Sequence, residues 1–498
     1  MAIKIIMLVV FFGTMIGVGL YCRKNATDVN GFVLGGRSVG PWLTAFAYGT
    51  SYFSAVIFVG YAGQFGWKFG VASTWVGIGN AIIGSLLAWV ILGRRTRVMT
   101  QHLESKTMPE FFGQRFDSNM LKILASVIVF IFLIPYTASL YNGLSRLFGM
   151  AFNLDYSVCI IVMAVLTGVY VIAGGYMATA MNDFIQGIIM IFGIIAVIAA
   201  VLNSNGGFME AYESLAKVQD SAVSDMPGAF ASFLGPDPLS LFGVVILTSL
   251  GTWGLPQMVQ KFYAIKDEKA IERGTIISTI FAVIVAGGCY FLGGFGRLYD
   301  IDVAKVGYDA VVPTMLEDLS PFLMAVVIIL VLSASMSTLS SLVLTSSSTL
   351  TLDLIKGTIV KEMSEKKQVL FMRIFVVIFI AISAIIAMFQ YKSNVSFIAQ
   401  FMGISWGALA GAFLAPFIYS LYWKKVTKLS VVINFLFACG IMIANMLVKS
   451  SFPTLLQSPI NCGAFTMLAG LIIVPVVSLI TPKLKAEKVE VVFKCYED

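Results

Sequence analysis

Gly49-Thr50-Ser51-Tyr52-Phe53-Ser54 stands in an otherwise apolar run, residues 40-66, that is long enough to cross a bilayer. A helix in hydrocarbon must satisfy its backbone polar groups within its own segment. Small and polar residues at mid-depth therefore mark a place where the helix is interrupted and its freed carbonyls face something other than lipid. The run is approached through Gly35-Gly36-Arg37-Ser38-Val39-Gly40-Pro41. A second interruption is expected in Thr248-Ser249-Leu250-Gly251-Thr252-Trp253-Gly254-Leu255-Pro256-Gln257, where Gly251, Gly254 and Pro256 disfavour a continuous helix. Interruptions at matching places in two halves point to an inverted-repeat transport fold with its site at the repeat interface.

The rest of the chain supplies the membrane that such a fold needs. Of 498 residues, 58% are hydrophobic and 12% charged, which excludes a water-soluble domain. Thirteen runs read as spans: 3-22, 40-66, 71-93, 119-149, 154-174, 178-202, 238-263, 272-297, 319-354, 369-390, 394-423, 429-449 and 463-482. The expected fold is all-α and integral to the membrane. It divides into a first helix and loop (1-39), two five-span repeats (40-202 and 238-424) joined by an outer loop (203-237), two further helices (425-482) and a tail (483-498). The first span is read as an anchor, not a cleaved leader, because Lys4 is its only early charge and Arg23-Lys24 lie on its far side.

Charge follows the same topology. With the N-terminus outside and thirteen spans, 25 of the 33 Lys and Arg residues fall on the inner side, Lys261 among them. The net charge of +7 is thus read as topology and not as a nucleic-acid partner, and the C-terminus is expected in the cytoplasm of a plasma-membrane protein. The six scattered cysteines show no metal or disulfide spacing. Nothing in the tail reads as a kinase or receptor module, and no obligate protein partner is evident.

One span carries an unusual chemistry. Residues 333-349 hold eleven hydroxyl side chains in seventeen positions. Ala334, Ser337 and Thr338 lie at i, i+3 and i+4, so one carbonyl and two hydroxyls share a helix face. Such oxygens are hard, neutral ligands for a hard cation. Taken singly, each hydroxyl has an ordinary reading as a packing residue or a bond back to the preceding turn.

Leu34-Gly35-Gly36-Arg37-Ser38-Val39-Gly40-Pro41, Tyr170-Val171-Ile172-Ala173-Gly174-Gly175-Tyr176 with Asp183 and Gln186 downstream, and Met336-Ser337-Thr338-Leu339-Ser340-Ser341 carry a resemblance. From about residue 30 to 430 the chain resembles the sodium:solute symporter family, and within it the bacterial sodium/proline and sodium/pantothenate symporters. The resemblance implies a five-plus-five inverted-repeat core with one helix before it and two after. It also implies a sodium site built from the carbonyls of Thr50, Phe53 and Ala334 and the hydroxyls of Ser337 and Thr338. Ser54 and Tyr136 match positions linked to substrate. Tyr52 stands where the proline symporters have an Asp, and Thr248 and Thr252 stand where they have Trp and Tyr, with Trp253 one residue along. Proline is therefore not the favoured solute, and the Glu and Lys of sugar-carrying relatives are not apparent.

Further residues are expected at the cavity or the gate. Trp253, Gln257 and Gln400 join Ser54 and Tyr136 as substrate-binding candidates. Tyr48, Tyr141 and Trp406 are aromatic alternatives whose ordinary reading is packing. Tyr52 and Asp183 are candidates for coupling or gating, although a carboxylate at a helix start is also accounted for by the local dipole. His102 lies among Arg97 and Lys106 and is not expected to relay protons. The reading is alternating-access import of an amino acid or carboxylate-like solute with sodium as coupling ion and lipid as surroundings. Proton-coupled or facilitated transport on the same fold is the alternative. An enzyme is not expected, since no His cluster, Cys pair or phosphate-binding loop appears.

Overall fold

The computed structural model describes residues 2–152, 155–356, 358–360, 362–393 and 398–497. Among these residues the secondary structure is helical, with three isolated bridges in place of any sheet. Local sequence sets the helix starts. Pro321 opens the helix Pro321–Thr349, with the Ser320 hydroxyl accepting from the Leu323 amide. Asp267 caps Glu268–Ala282 in the same way through the Ala270 amide.

Both expected interruptions are present. The helix Pro41–Tyr52 ends where Phe53 turns to extended backbone (φ −82°, ψ 123°), and the chain resumes as a wide π-type turn at Val56–Tyr61. The helices Pro238–Gly254 and Pro256–Ala264 meet at an extended Leu255 with a 45° bend. Proline at the first position of the second piece has no amide hydrogen to lose, so the break leaves one fewer orphan donor.

The span count differs from thirteen. Among the described residues, ten helices are long and apolar enough to cross a membrane, or up to eleven if the bent pair is one span. With the bent pair counted as the eleventh, two of the ten account for the remaining difference. Val56–His102 runs 47 residues and Tyr156–Ser204 runs 49, each about twice the roughly 20 residues that a single crossing needs. Each contains one glycine in a backbone conformation closed to other residues: Gly70 (φ 61°, ψ −142°) and Gly175 (φ 55°, ψ −145°). The sequence reading had divided the chain at these same places.

Pro321–Thr349 is the hub. Its most apolar window is 83% buried inside the protein, against 22% for the N-terminal helix. It packs on Pro41–Tyr52, Asn119–Phe152, Tyr156–Ser204 and Glu365–Ser393. The last two spans, Lys428–Leu447 and Pro459–Ile480, pack on Ile398–Tyr422 and on each other. Small residues let backbones approach: a Cβ added at Gly66 would lie 1.9 Å from the Gly293 carbonyl oxygen.

Two further contacts join the segments flanking the breaks. The Val39 amide donates to the Ala264 carbonyl and the Lys266 amide to that of Val39. Arg37 donates to the carbonyls of Tyr263 (3.1 Å), Thr100 (3.2 Å) and Ser105 (2.6 Å). Burial pulls this guanidinium below its usual range. The tail is structured rather than a loose charged end: Ala486–Phe493 forms a helix, and His102 Nε2 lies 2.8 Å from the Val491 carbonyl.

Candidate functional site

Phe53 leaves helical geometry, so the last carbonyls of Pro41–Tyr52 lose their i+4 partners. They turn toward Pro321–Thr349. The Thr338 hydroxyl lies 3.1 Å from the Thr50 carbonyl oxygen, 3.2 Å from that of Phe53 and 3.1 Å from that of Ala334. The Ser337 hydroxyl lies 3.1 Å from the Thr50 carbonyl and 3.2 Å from that of Ala334. Five oxygens thus crowd at hydrogen-bond distance with two hydroxyl protons among them. Thr338 alone faces three acceptors with one proton. Oxygens set about 2.4 Å from a common centre, as around a calcium ion, would sit roughly 3.4 Å apart as neighbours, close to the spacing found. The donor set is neutral and hard, and all five residues are buried.

Beside this cluster lies a polar-tipped aromatic wall. The Tyr136 hydroxyl faces the Ser54 hydroxyl and the Trp406 indole. Trp406 packs edge-on against Tyr136 with ring centroids 5.9 Å apart, and against Tyr52 at 5.8 Å. Tyr52 OH, Ser54 Oγ, Tyr136 OH and Trp406 Nε1 are buried without a hydrogen bond of good geometry. Both amide atoms of Gln257 are in the same condition. Buried polar atoms left unpaired cost about 1–3 kcal/mol each, and a bound solute would relieve them.

A turn along the central helix from Ser337 is a charged network. Lys261 Nζ lies 3.0 Å from Ser341 Oγ and 3.9 Å from Asp183 Oδ2, over the Tyr176 ring at 5.2 Å. Ser341 Oγ in turn lies 2.7 Å from Ser51 Oγ. Four segments meet here: the first helix before its break, the second after its break, the hydroxyl helix and the stretch following Gly175.

Matches to known proteins give the family. Residues 32–434 match the profile described as "SSF: Sodium:solute symporter family". The chain belongs to the sodium:solute symporter family. An osmoregulated proline transporter of Bacillus subtilis (strain 168) is 29% identical over 438 residues, covering 86% of each chain. Sodium/proline symporter 2 of Staphylococcus saprophyticus is 29% identical over 434 residues, covering 85% of this chain and 82% of its own. The structure of a sodium-coupled sialic acid symporter, substrate-bound and outward-open, superposes with a TM-score of 0.74 over 97% of this chain and 99% of its own, at 16% identity. That likeness is one of fold. The chain is accordingly a multi-pass, sodium-coupled solute symporter.

In this symporter the sequence-derived residues divide into three groups. Thr50, Phe53, Ala334, Ser337 and Thr338 come together in one cluster, and Tyr52, Ser54 and Tyr136 adjoin Trp406 beside it. Trp253 does not join them: its indole donates to the Ile83 carbonyl at 2.9 Å. Thr248 and Thr252 are likewise spent on backbone, at Val244 and at Gly84 and Ser249. Gln400 is half-buried in the first turn of Ile398–Tyr422, about 9 Å along the axis from Trp406. None of the described contacts brings it to the cluster.

Asp183 and Lys261 need the largest revision. Asp183 lies eight residues past the Gly175 kink, fully buried, with a lysine ammonium as its partner in place of a helix dipole. Lys261, which charge counting assigns to the inner side at the end of the span 238-263, is 2% exposed within Pro256–Ala264. Sequence reasoning missed it, although a clue was present. Gln257, Gln260 and Lys261 share one face of a nine-residue helix that also carries Phe262 and Tyr263, an unusually polar face for the end of a membrane span.

Proposed function

We propose that this symporter takes sodium at the five oxygens of Thr50, Phe53, Ala334, Ser337 and Thr338. We propose also that it imports a small amino acid or related carboxylate held between Ser54, Tyr52, Tyr136, Gln257 and Trp406. The supporting observation is the crowding of five oxygens around two protons, which a cation resolves and hydrogen bonding alone does not. Sodium between the carbonyls of the broken helix and the hydroxyl helix holds these two elements together and so orders the adjoining Ser54 and Tyr52. Binding of either ligand then favours the other by the same factor. A potential of about 100 mV adds roughly 2.3 kcal/mol per sodium ion to the concentration gradient.

The two repeats are taken as 40-202 and 238-424, supported by a broken helix at the opening of each. The bias of basic residues supports a plasma-membrane orientation with the N-terminus outside and the C-terminus in the cytoplasm. Curated relatives named for proline make it the first solute to test, and the loss of Thr248 and Thr252 to backbone bonds widens the panel beyond it.

The test is uptake into proteoliposomes of a panel of amino acids and short organic acids, proline included, under an imposed inward sodium gradient. Concentrative uptake of one solute in sodium and none in potassium is expected. Equal uptake in both ions would overturn sodium coupling. Proton coupling is the second reading, favoured by a titratable pair one turn from the cluster. A pH gradient replacing the sodium gradient as driving force would establish it.

A further inference from the structure

The N-terminal helix Ala2–Tyr21 and the helix Glu365–Ser393 reach the same membrane face with their basic ends together. Between them is a cavity of about 660 Å³. Arg23, Lys24, Lys366 and Arg373 line it with Leu20, Tyr21 and Val369, and none of its lining residues is acidic. The four cations make no ion pair among the described residues, and Arg23 stands close enough to Arg373 to repel it.

Arg373 forms the floor. One of its amino groups donates to the Ala26 carbonyl at 3.3 Å, its face lies over Phe32, and its Nε is buried without a partner. A guanidinium has five donors in a fixed fork suited to phosphate. The nearest acids in the sequence are elsewhere engaged or turned out: Asp28 caps the helix Val29–Leu34 through the Gly31 amide, and Glu365 does not line the cavity.

The cavity is amphiphilic as well as cationic. Leu20 and Tyr21, 58% and 63% exposed, are the last residues of an apolar span, so this wall of the cavity faces hydrocarbon. Unpaired like charges at the end of two spans beside an apolar wall match a phosphate headgroup with its acyl chains attached, better than they match a small anion from water.

We propose that this cavity binds the headgroup of an anionic phospholipid, with its phosphate between Arg23, Lys24, Lys366 and Arg373 and its chains along Leu20 and Tyr21. The site is separate from the ion and solute cluster, and its occupancy is tested without transport. Detergent-purified full-length protein is titrated with phosphatidylglycerol, with phosphatidylcholine and with inorganic phosphate, and thermal unfolding is followed.

Phosphatidylglycerol is expected to raise the unfolding temperature at concentrations where the other two do not. Removing a juxtamembrane charge weakens such binding about fivefold, so Lys24→Gln with Lys366→Gln should shift the phosphatidylglycerol midpoint by roughly 25-fold. Lys425→Gln, on a basic stretch outside the cavity, should leave it unchanged. Equal stabilisation by phosphatidylcholine, equal stabilisation by phosphate alone, or an unchanged midpoint in the double variant would each overturn the proposal. If the double variant does not purify as a folded species, Lys366→Gln alone carries the test, since Lys366 is exposed at a helix start and makes no described hydrogen bond.

Discussion

Thr338 has one proton and three carbonyl oxygens within reach of it. Thr338→Ala removes an oxygen from the cluster and leaves the carbonyls of Thr50 and Phe53 facing a methyl group. The sodium concentration for half-maximal uptake should rise at least about fivefold, given 1–3 kcal/mol for an unmet buried polar group. Thr338→Ser should recover most of it, and a sodium titration of uptake reads both. Lys261 and Asp183 make a different prediction. Lys261→Met leaves a buried carboxylate without its cation, costing about 3–5 kcal/mol, while the double change Lys261→Met with Asp183→Asn should restore much of that loss. Unfolding of the four proteins, taken as a cycle, measures it.

At this scale the neutral oxygens of the ion cluster were legible because hydroxyls at i+3 and i+4 on an apolar helix stand out. Lys261 was not. A lysine near the end of a span looks the same whether it ends in water or against a carboxylate, and only the fold of the chain brings Asp183 to it. For Trp253, spacing along one helix does not say which neighbouring carbonyl captures the indole, here that of Ile83.

Among the elements, the broken helices were the most legible feature. Gly, Ser and Thr at mid-depth and Pro256 after Gly254 leave little choice about where the helix stops. The Gly175 turn is the sharper test of how the long Tyr156–Ser204 helix folds back. A Cβ there would lie 2.8 Å from the Phe32 carbonyl oxygen, in a backbone conformation that side chains resist. Gly175→Ala should destabilise the protein by about 1–3 kcal/mol or more and lower the yield of folded protein. A thermal scan beside Gly168→Ala, where the added Cβ meets only an ordinary contact at 3.5 Å, separates this strain from the general effect of alanine. The helical tail, by contrast, left no clear mark in the sequence, since a segment with eight charged residues among sixteen reads as loose until Val489, Val492 and Phe493 are seen to be buried.

For the whole molecule, composition alone fixed the class, and the proposed orientation rests on where the basic residues fall. The count of spans depends on what ends one: the apolar runs separate at Gly70 and Gly175, whereas the helical segments Val56–His102 and Tyr156–Ser204 run on through them. What composition cannot supply is the coupling of ion to solute, which depends on a broken helix in one half of the chain meeting an unbroken one in the other. The most direct test of that meeting is the unfolding temperature of the purified protein titrated with sodium and, separately, with potassium at equal ionic strength, in the wild type and in Thr338→Ala. The account predicts a saturable, sodium-specific rise in the wild type, worth about 2.7 kcal/mol when sodium is 100-fold above its dissociation constant, and a midpoint displaced at least about fivefold in the variant. Indistinguishable curves in sodium and potassium, or a variant that responds as the wild type does, would contradict it.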